Sequence, residues 1–455
     1  MKKHAGDSHG SGRTARLTKA SGLFSTSSLL TGARIAGALA GFATQVLLAR
    51  TLQASALGLF YSVTSLAAIM SLVVALGYPA IAPRFMLRYR EQGKNDLVAA
   101  FVSRARRDAM LYVAIATGAL LALALFWPSF STEVRWALAA AALSIPAGAS
   151  IRVNGSFATA LRHFALSYLP DTSIRPFFLL AGILVLLAFG VTLTAARASW
   201  LLTGTITVLA LGQFILVCKM MPLRAAPPAP IRLVRRWQRE AWPQIVVTLY
   251  INFFADVDIL LVTPLLASAE TASIGLCLKL SLLVGFAVQI AHQVVVPDFA
   301  HAQARKDPRA MHEALFKAVV FPLIITFAAL VIVALFGDRL LAIFGPEFTD
   351  AKVPLLILMA CQLARALFGP SVSLLTVIGA QWHNAALAVA SLVVLAISNV
   401  VLTPLYGVLG AAIAVAVATL FWLVACAIVL GRVSGLRTDV LYLIGKLGSP
   451  RSAPA

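Results

Sequence analysis

Acidic side chains are scarce: 17 Asp and Glu stand against 37 Lys and Arg in 455 residues, and charged residues of both signs make up only 12%. A soluble domain carries about 25% charged residues, so an ordinary water-exposed globule is excluded. Cysteine is nearly absent too. Cys218, Cys277, Cys361 and Cys426 lie far apart in apolar stretches, which argues against a disulfide framework or a thiolate metal site and fits small core residues. His163, His292, His301 and His383 sit at the ends of apolar runs without ligand spacing. H-E-x-x-H, P-loop, G-x-S-x-G and dinucleotide motifs are all missing, so neither an ATPase nor a soluble-type catalytic site is visible.

What is present is apolar: 60% of the residues are hydrophobic and the mean hydropathy is +0.91. This predicts an all-α polytopic membrane protein, with spans of about twenty residues or more. Twelve are placed near 24–49, 56–81, 108–127, 134–160, 170–190, 197–220, 241–263, 272–296, 314–336, 353–378, 384–404 and 407–431. Glycine and proline at Gly77-Tyr78-Pro79, Pro146 and Gly369-Pro370 predict kinks of the kind that bend helices around a cavity. The net charge of +20 would suggest nucleic acid in a soluble protein. Here the excess falls in alternate loops (82–107, 221–240 and 297–313) and at both ends, while the intervening loops are short and nearly balanced. The positive-inside rule explains that pattern, predicts cytoplasmic termini and leaves no call for a nucleic-acid partner.

Residues 1–22 are basic and glycine/serine-rich and read as a disordered cytoplasmic segment with no cleavage expected. A proline-rich then basic stretch, 221–240, reads as a cytoplasmic linker on the headgroup surface between two six-helix lobes, 23–220 and 241–432, with 433–455 as a cytoplasmic tail. The lobes echo each other weakly. Thr44–Phe60 aligns with Val257–Cys277, matching Leu47-Leu48 to Leu260-Leu261, Ala54-Ser55-Ala56 to Ala267-Ser268-Ala269, and Gly58 to Gly275. Parallel repeats of this kind put a transporter's binding site between the halves.

Ionisable groups inside spans supply the candidate site. Arg34 lies within about 20° of Gly41 and Gln45 on a helix, and roughly 15 Å into the first span. An arginine there costs at least about 2.5–3.5 kcal/mol on insertion scales, so it turns to a wet cavity and an anionic partner, or else snorkels or pairs within the bundle. Lys279, with Gln293 on nearly the same face, is an anion contact or coupling group, or snorkels outward. Asp256 and Asp258 are about 200° apart and cannot both face one cavity squarely. Asn252 with Asp256 forms a polar patch, Asp258 repeats the position of Gln45, and one of the two carboxylates is a coupling group. Arg365, with Gln362, lies deep in the tenth span and joins Arg34, Gln45 and Lys279 as a substrate-binding candidate. Arg152 with Asn154, and the i,i+4 pair Asp171 and Arg175, read as structural.

Two stretches carry a family resemblance: VLLARTLQASALGLFYSVTSLAAIMSLVVALGYPAIAPRF (Val46 to Phe85) and NVVLTPLYGVLGAAIAVAVATLFW (Asn399 to Trp422). From about residue 20 to 432 the chain resembles the O-antigen and exopolysaccharide flippases of the multidrug/oligosaccharidyl-lipid/polysaccharide exporter superfamily. The resemblance implies a V-shaped molecule in a bacterial cytoplasmic membrane, with spans one, two, seven and eight around a cationic cavity. It implies alternating access that turns an undecaprenyl-pyrophosphate-linked sugar repeat from one leaflet to the other, for O-antigen, exopolysaccharide or capsule. No enzyme activity or organic cofactor is expected; H+ or Na+ is the coupling ion, and membrane lipids, a polysaccharide polymerase and chain-length proteins are the partners. Arg34, Asp256, Asp258 and Lys279 fill the family's charged positions in the first, seventh and eighth spans. Two competitors remain. A drug/cation antiporter of the same superfamily predicts an acidic cavity, and a membrane polymerase or ligase predicts a sizeable outer loop, whereas the longest here has about sixteen residues.

Overall fold

A computed structural model describes residues 32–221, 229–305, 308–378 and 380–434, which form helices and no strand. In chain order these are α1 (Gly32–Thr51), α2 (Ala54–Val73), α3 (Tyr78–Glu91), α4 (Asn95–Phe126) and α5 (Thr132–Ala160). There follow α6 (Phe164–Ala188), α7 (Ala195–Met220), α8 (Ile231–Val262), α9 (Ser268–Arg305), α10 (Pro308–Ala342), α11 (Lys352–Phe368), α12 (Ser371–Val377) and α13 (Gln381–Ser434). Hydrocarbon offers no hydrogen bonds, so every backbone group must be satisfied within its own helix. Buried hydroxyls obey the same constraint: Thr44, Ser71 and Thr203 each donate to the carbonyl four residues back.

Among the described residues eleven helices are long and apolar enough to cross a membrane. At about 1.5 Å per residue the 54-residue α13 is far longer than one crossing. It is broken at Gly407 (φ 58°, ψ −134°), a left-handed conformation that suits glycine, and each arm is long enough to span. Twelve crossings result, and the protein is a multi-pass membrane protein.

Some boundaries differ from those read in the sequence. The 82–107 loop is helical, as the end of α3 and the start of α4, because amphipathic turns at an interface lack the unbroken apolar run that marks a span. The tenth span stops at Gly369 (φ 66°) and resumes as α12. The linker's second half is the start of α8. Residues 1–22, residues 222–228 of the linker, the tail beyond Ser434, and the side chains of His292, Gln293 and His301 lie outside the described residues.

Small residues set the packing, as expected where helices meet without a hydrophobic drive. Ala137, Ala140 and Ala142 on α5 are fully buried, which brings α5 close to α7; the Thr203 hydroxyl reaches the Ala140 carbonyl. The lobes meet through α2, which packs on both α8 and α9. On the face away from the basic loops, a Cβ on Gly58 would collide with the Ser268 carbonyl, Ser62 and Thr263 hydroxyls are 2.9 Å apart, and Arg50 donates to the Ile343 and Ala342 carbonyls at the end of α10. Leu48, Phe60 and Tyr61 share one core with Ile259, Cys277 and Phe344.

On the basic-loop face, Val234, Trp237 and Ala241 of α8 are buried among Tyr78, Phe85, Phe101 and Phe157 of the N-terminal lobe. Gly77 seals this joint. Its φ is +71°, and a Cβ there would strike the Ala241 carbonyl. Gly77→Ala is expected to lose about 1–2 kcal/mol to the left-handed backbone and about 1–3 kcal/mol more to overpacking. Thermal unfolding in detergent checks this against Gly118→Ala, a site with open space around it; equal melting temperatures for the two variants would refute it.

Candidate functional site: a polar chamber at the lobe boundary

A cavity of about 510 Å³ lies in the middle of the bundle, lined by α1, α2, α5, α6 and α7 of the first lobe and by α8 and α9 of the second. The Gly58, Ser62 and Arg50 contacts roof it on the face away from the basic loops. Five ionisable side chains line it: Arg152, Asp171, Arg175, Asp256 and Lys279.

Each is placed by a local irregularity or a close packing contact. Asp171 sits in a π-helical turn, Pro170–Ile174, within α6, and such bulges recur at functional positions. The turn packs so tightly on α1 that a Cβ on Gly37 would meet the Thr172 carbonyl. One turn on, Arg175 pairs with Asp171 at 2.7 Å. Helix α8 departs from helical geometry at Phe253 (φ −127°, ψ 16°), and the Arg152 guanidinium lies 4.4 Å from that residue's ring centroid. Asp256 accepts from the Ser65 hydroxyl at 2.8 Å. The Lys279 ammonium stands 5.0 Å from the Tyr61 ring centroid, and the Tyr61 hydroxyl donates to Gln45 at 2.7 Å.

The chamber therefore holds three cations and two carboxylates. Asp171 is committed to Arg175, whereas neither Arg152 nor Lys279 has an ion pair among the described residues, and the Arg152 Nε is buried without a partner. Asp171 is also within electrostatic reach of Arg152, and Asp256 is within reach of both Arg152 and Lys279. Free guanidinium and ammonium groups in a concave, partly desolvated site are suited to a phosphate or carboxylate.

The sequence candidates divide. Gln45, Asn252, Asp256 and Lys279 come together in the chamber. Arg34 is not among the lining residues, a correction to the cavity-facing position read from its helical angle. Its guanidinium lies 5.0 Å from the Phe286 ring centroid of α9 and 6.0 Å from that of Tyr168 on α6. Arg34 precedes the lining residue Gly41 by seven positions, and Phe286 follows Lys279 by seven. Both offsets are two turns, about 10 Å, so Arg34 stands below the chamber toward the basic-loop face. The angle fixed its side of the helix, and a depth of roughly 15 Å counted along the span stops short of the level of the chamber.

Arg365 is likewise elsewhere, in a smaller cavity of the second lobe with Tyr250 and Gln362. Asp258 is fully buried on the far side of α8 from Asp256; Asn399 donates to its Oδ1 at 2.7 Å and its Oδ2 has no partner. Arg152, Asp171 and Arg175, read from sequence as structural, are chamber residues. The i,i+4 spacing disclosed the ion pair and gave no sign that it faces open space.

This arrangement of membrane-crossing helices in two lobes is a fold shared with solved structures. The chain is similar to the inward-facing conformation of a multidrug resistance MATE family transporter of the MOP superfamily, with TM-score 0.66 and 14% identity over 91% of this chain and 96% of that one. It is also similar to lipid II flippase MurJ in an inward closed conformation, with TM-score 0.63 and 16% identity over 90% and 87%, and to a MATE in its bent conformation, with TM-score 0.57 and 15% identity over 88% and 93%. A family profile described as "Polysaccharide biosynthesis protein" matches residues 24–303, more than half of the chain, and the protein belongs to that family. No curated protein matches it in sequence.

Proposed function

We propose that this protein is a flippase that moves a lipid-linked oligosaccharide across the bacterial cytoplasmic membrane for surface polysaccharide biosynthesis. The observation that carries this is the pair Arg152 and Lys279, two cations without ion pairs in a chamber at the lobe boundary of a polysaccharide biosynthesis family member. The cargo is an undecaprenyl-pyrophosphate-linked repeat. Its head group occupies the chamber, the pyrophosphate or an acidic sugar meets Arg152 and Lys279, and the lipid tail stays in the bilayer. Arg34, two turns nearer the basic loops, meets the head group on its way in, while Arg365 serves the second lobe.

The basic loops face the cytoplasm, as do both termini, and the protein acts as a transporter rather than an enzyme. Binding biases the equilibrium between two lobe arrangements, and an H+ or Na+ gradient acting on Asp258 or Asp256 drives the cycle. Polymerase and chain-length proteins receive the product. The competing reading, drug/cation antiport, draws on Asp256 as the chamber carboxylate not committed to an ion pair.

Reconstitution separates the two. Liposomes carrying the purified full chain are expected to translocate an undecaprenyl-pyrophosphate-linked sugar and to leave ethidium transport at the level of empty liposomes. Ethidium extrusion without lipid-linked sugar translocation would reverse the assignment.

A further inference from the structure

On the basic-loop face a groove of about 480 Å³, lined by Arg236, Arg239, Glu240, Pro243, Gln244 and Trp382, separates the first turns of α8 from the start of α13. It shares no lining residue with the chamber. Its two walls are held by different contacts. The α8 wall is fixed to the N-terminal lobe: Trp237 is fully buried and donates to the Tyr89 hydroxyl at 3.0 Å, and Arg84 pairs with Glu240. The other wall, Trp382, opens the eleventh crossing in the C-terminal lobe and is 62% exposed.

The charge balance of the groove is decided by Glu240, its only carboxylate among the described residues. That carboxylate is already shared between Arg84 and Arg236, whose Nε donates at 3.1 Å. Arg239 is exposed and has no hydrogen bond or ion pair with any described residue. The groove thus presents one free planar guanidinium with five donors, a second arginine beside it, and proline and indole surfaces flanking them. A tryptophan at the end of an apolar helix marks the headgroup level. Basic pockets between helices at that level are matched to anionic headgroups, and guanidinium binds phosphate oxygens in bidentate fashion. The apolar walls suit the glycerol and upper acyl carbons of a lipid and offer nothing to a free ion.

We propose that this groove binds the phosphodiester headgroup of an anionic membrane lipid, with Arg239 as the principal contact and Arg236 and Trp382 beside it. A lipid seated there touches α8 and α13 at once, so its occupancy ties the packing of these two helices on this face to membrane composition, whatever cargo the chamber carries.

The test uses the full chain in detergent, titrated with phosphatidylglycerol or phosphatidylcholine and read by native mass spectrometry of the retained lipid. Arg239→Gln is expected to weaken phosphatidylglycerol binding about tenfold, the effect of losing one charge-assisted contact. Trp382→Ala is expected to weaken both lipids. Arg90→Gln, at an exposed arginine of the same face on α3, is expected to change neither. Arg239 makes no hydrogen bond or ion pair with any described residue, so its variant should melt with the parent, which a thermal scan verifies. Unchanged phosphatidylglycerol binding in Arg239→Gln, or an equal loss in Arg90→Gln, overturns the proposal. So does an Arg239-dependent rise in melting temperature with inorganic phosphate alone, which would make the groove a site for a free anion.

Discussion

Arg152→Gln and Lys279→Gln are each expected to lower the affinity for undecaprenyl pyrophosphate by about ten- to a hundredfold, because a hydrogen bond to a charged group contributes about 1.5–3 kcal/mol. Two features of the chamber set the size of the effect. Neither cation has an ion pair among the described residues, so each is available to the ligand without first breaking a salt bridge. Both stand in a concave site at mid-bundle, where the effective dielectric is below that of water and opposite charges attract more strongly.

The variants should not act alike on the fold. Lys279 makes no hydrogen bond among the described residues, so its loss leaves no stranded partner. Arg152 lies over Phe253, at the break in α8, so its removal also loosens the bend. Arg34→Gln is expected to have the smaller effect on equilibrium affinity, because Arg34 is about two turns from the chamber, and a larger one on the rate of loading. Titration of detergent-purified variants with undecaprenyl pyrophosphate, alongside its uncharged alcohol, measures these differences. If Lys279→Gln and Arg152→Gln both bind the pyrophosphate as the parent does, the anionic-cargo reading of the chamber is wrong.

How much of this was legible beforehand depended on the kind of signal each residue gives. Apolar runs gave the twelve crossings, because a crossing is long and continuous and a bilayer sets its length. The same criterion missed the helical ends at 82–107 and 231–240, where the pattern is amphipathic. Helical angle separated Asp256 from Asp258, and the structure does set them on different sides of α8, one bonded to Ser65 and the other to Asn399. Angle failed for Arg34, whose position depends on depth along the axis. It could not have revealed Arg152, Asp171 and Arg175 as chamber residues, since that follows from a π turn in α6 and from a break in α8 with no proline at the broken residue. The repeat had a partial physical trace. Gly58 and Gly275, matched between the lobes, both lie on the contact of α2 with α9, one against Ser268 and the other against the ring of Tyr61.

Asp258→Asn is expected to abolish the dependence of transport on an ion gradient while leaving the protein folded. Asp258 is fully buried, with one oxygen bonded to Asn399 and the other unpartnered. A buried carboxylate with one oxygen unpartnered is a place where a small coupling ion can act. Emptying it then changes the energy of the α8 and α13 packing. Beyond the break at Phe253 the same segment of α8 carries Asp256 on the chamber side, so one helical segment meets both the ion site and the cargo site, as coupling between two sites requires.

Asparagine preserves the shape and the acceptor for Asn399 and removes the charge that an ion would titrate or neutralise. Its stability cost is that of one unsatisfied amide, about 1–3 kcal/mol. Asp256→Asn supplies the contrast. It keeps an acceptor for Ser65 and makes the chamber more positive, so it is expected to retain gradient dependence and to bind pyrophosphate at least as tightly as the parent. Liposomes with imposed H+ or Na+ gradients of either sign measure both variants. Asp258→Asn translocating faster with a gradient than without one, the behaviour expected of the parent, would move the coupling site away from Asp258; loss of gradient dependence in Asp256→Asn instead would place it in the chamber.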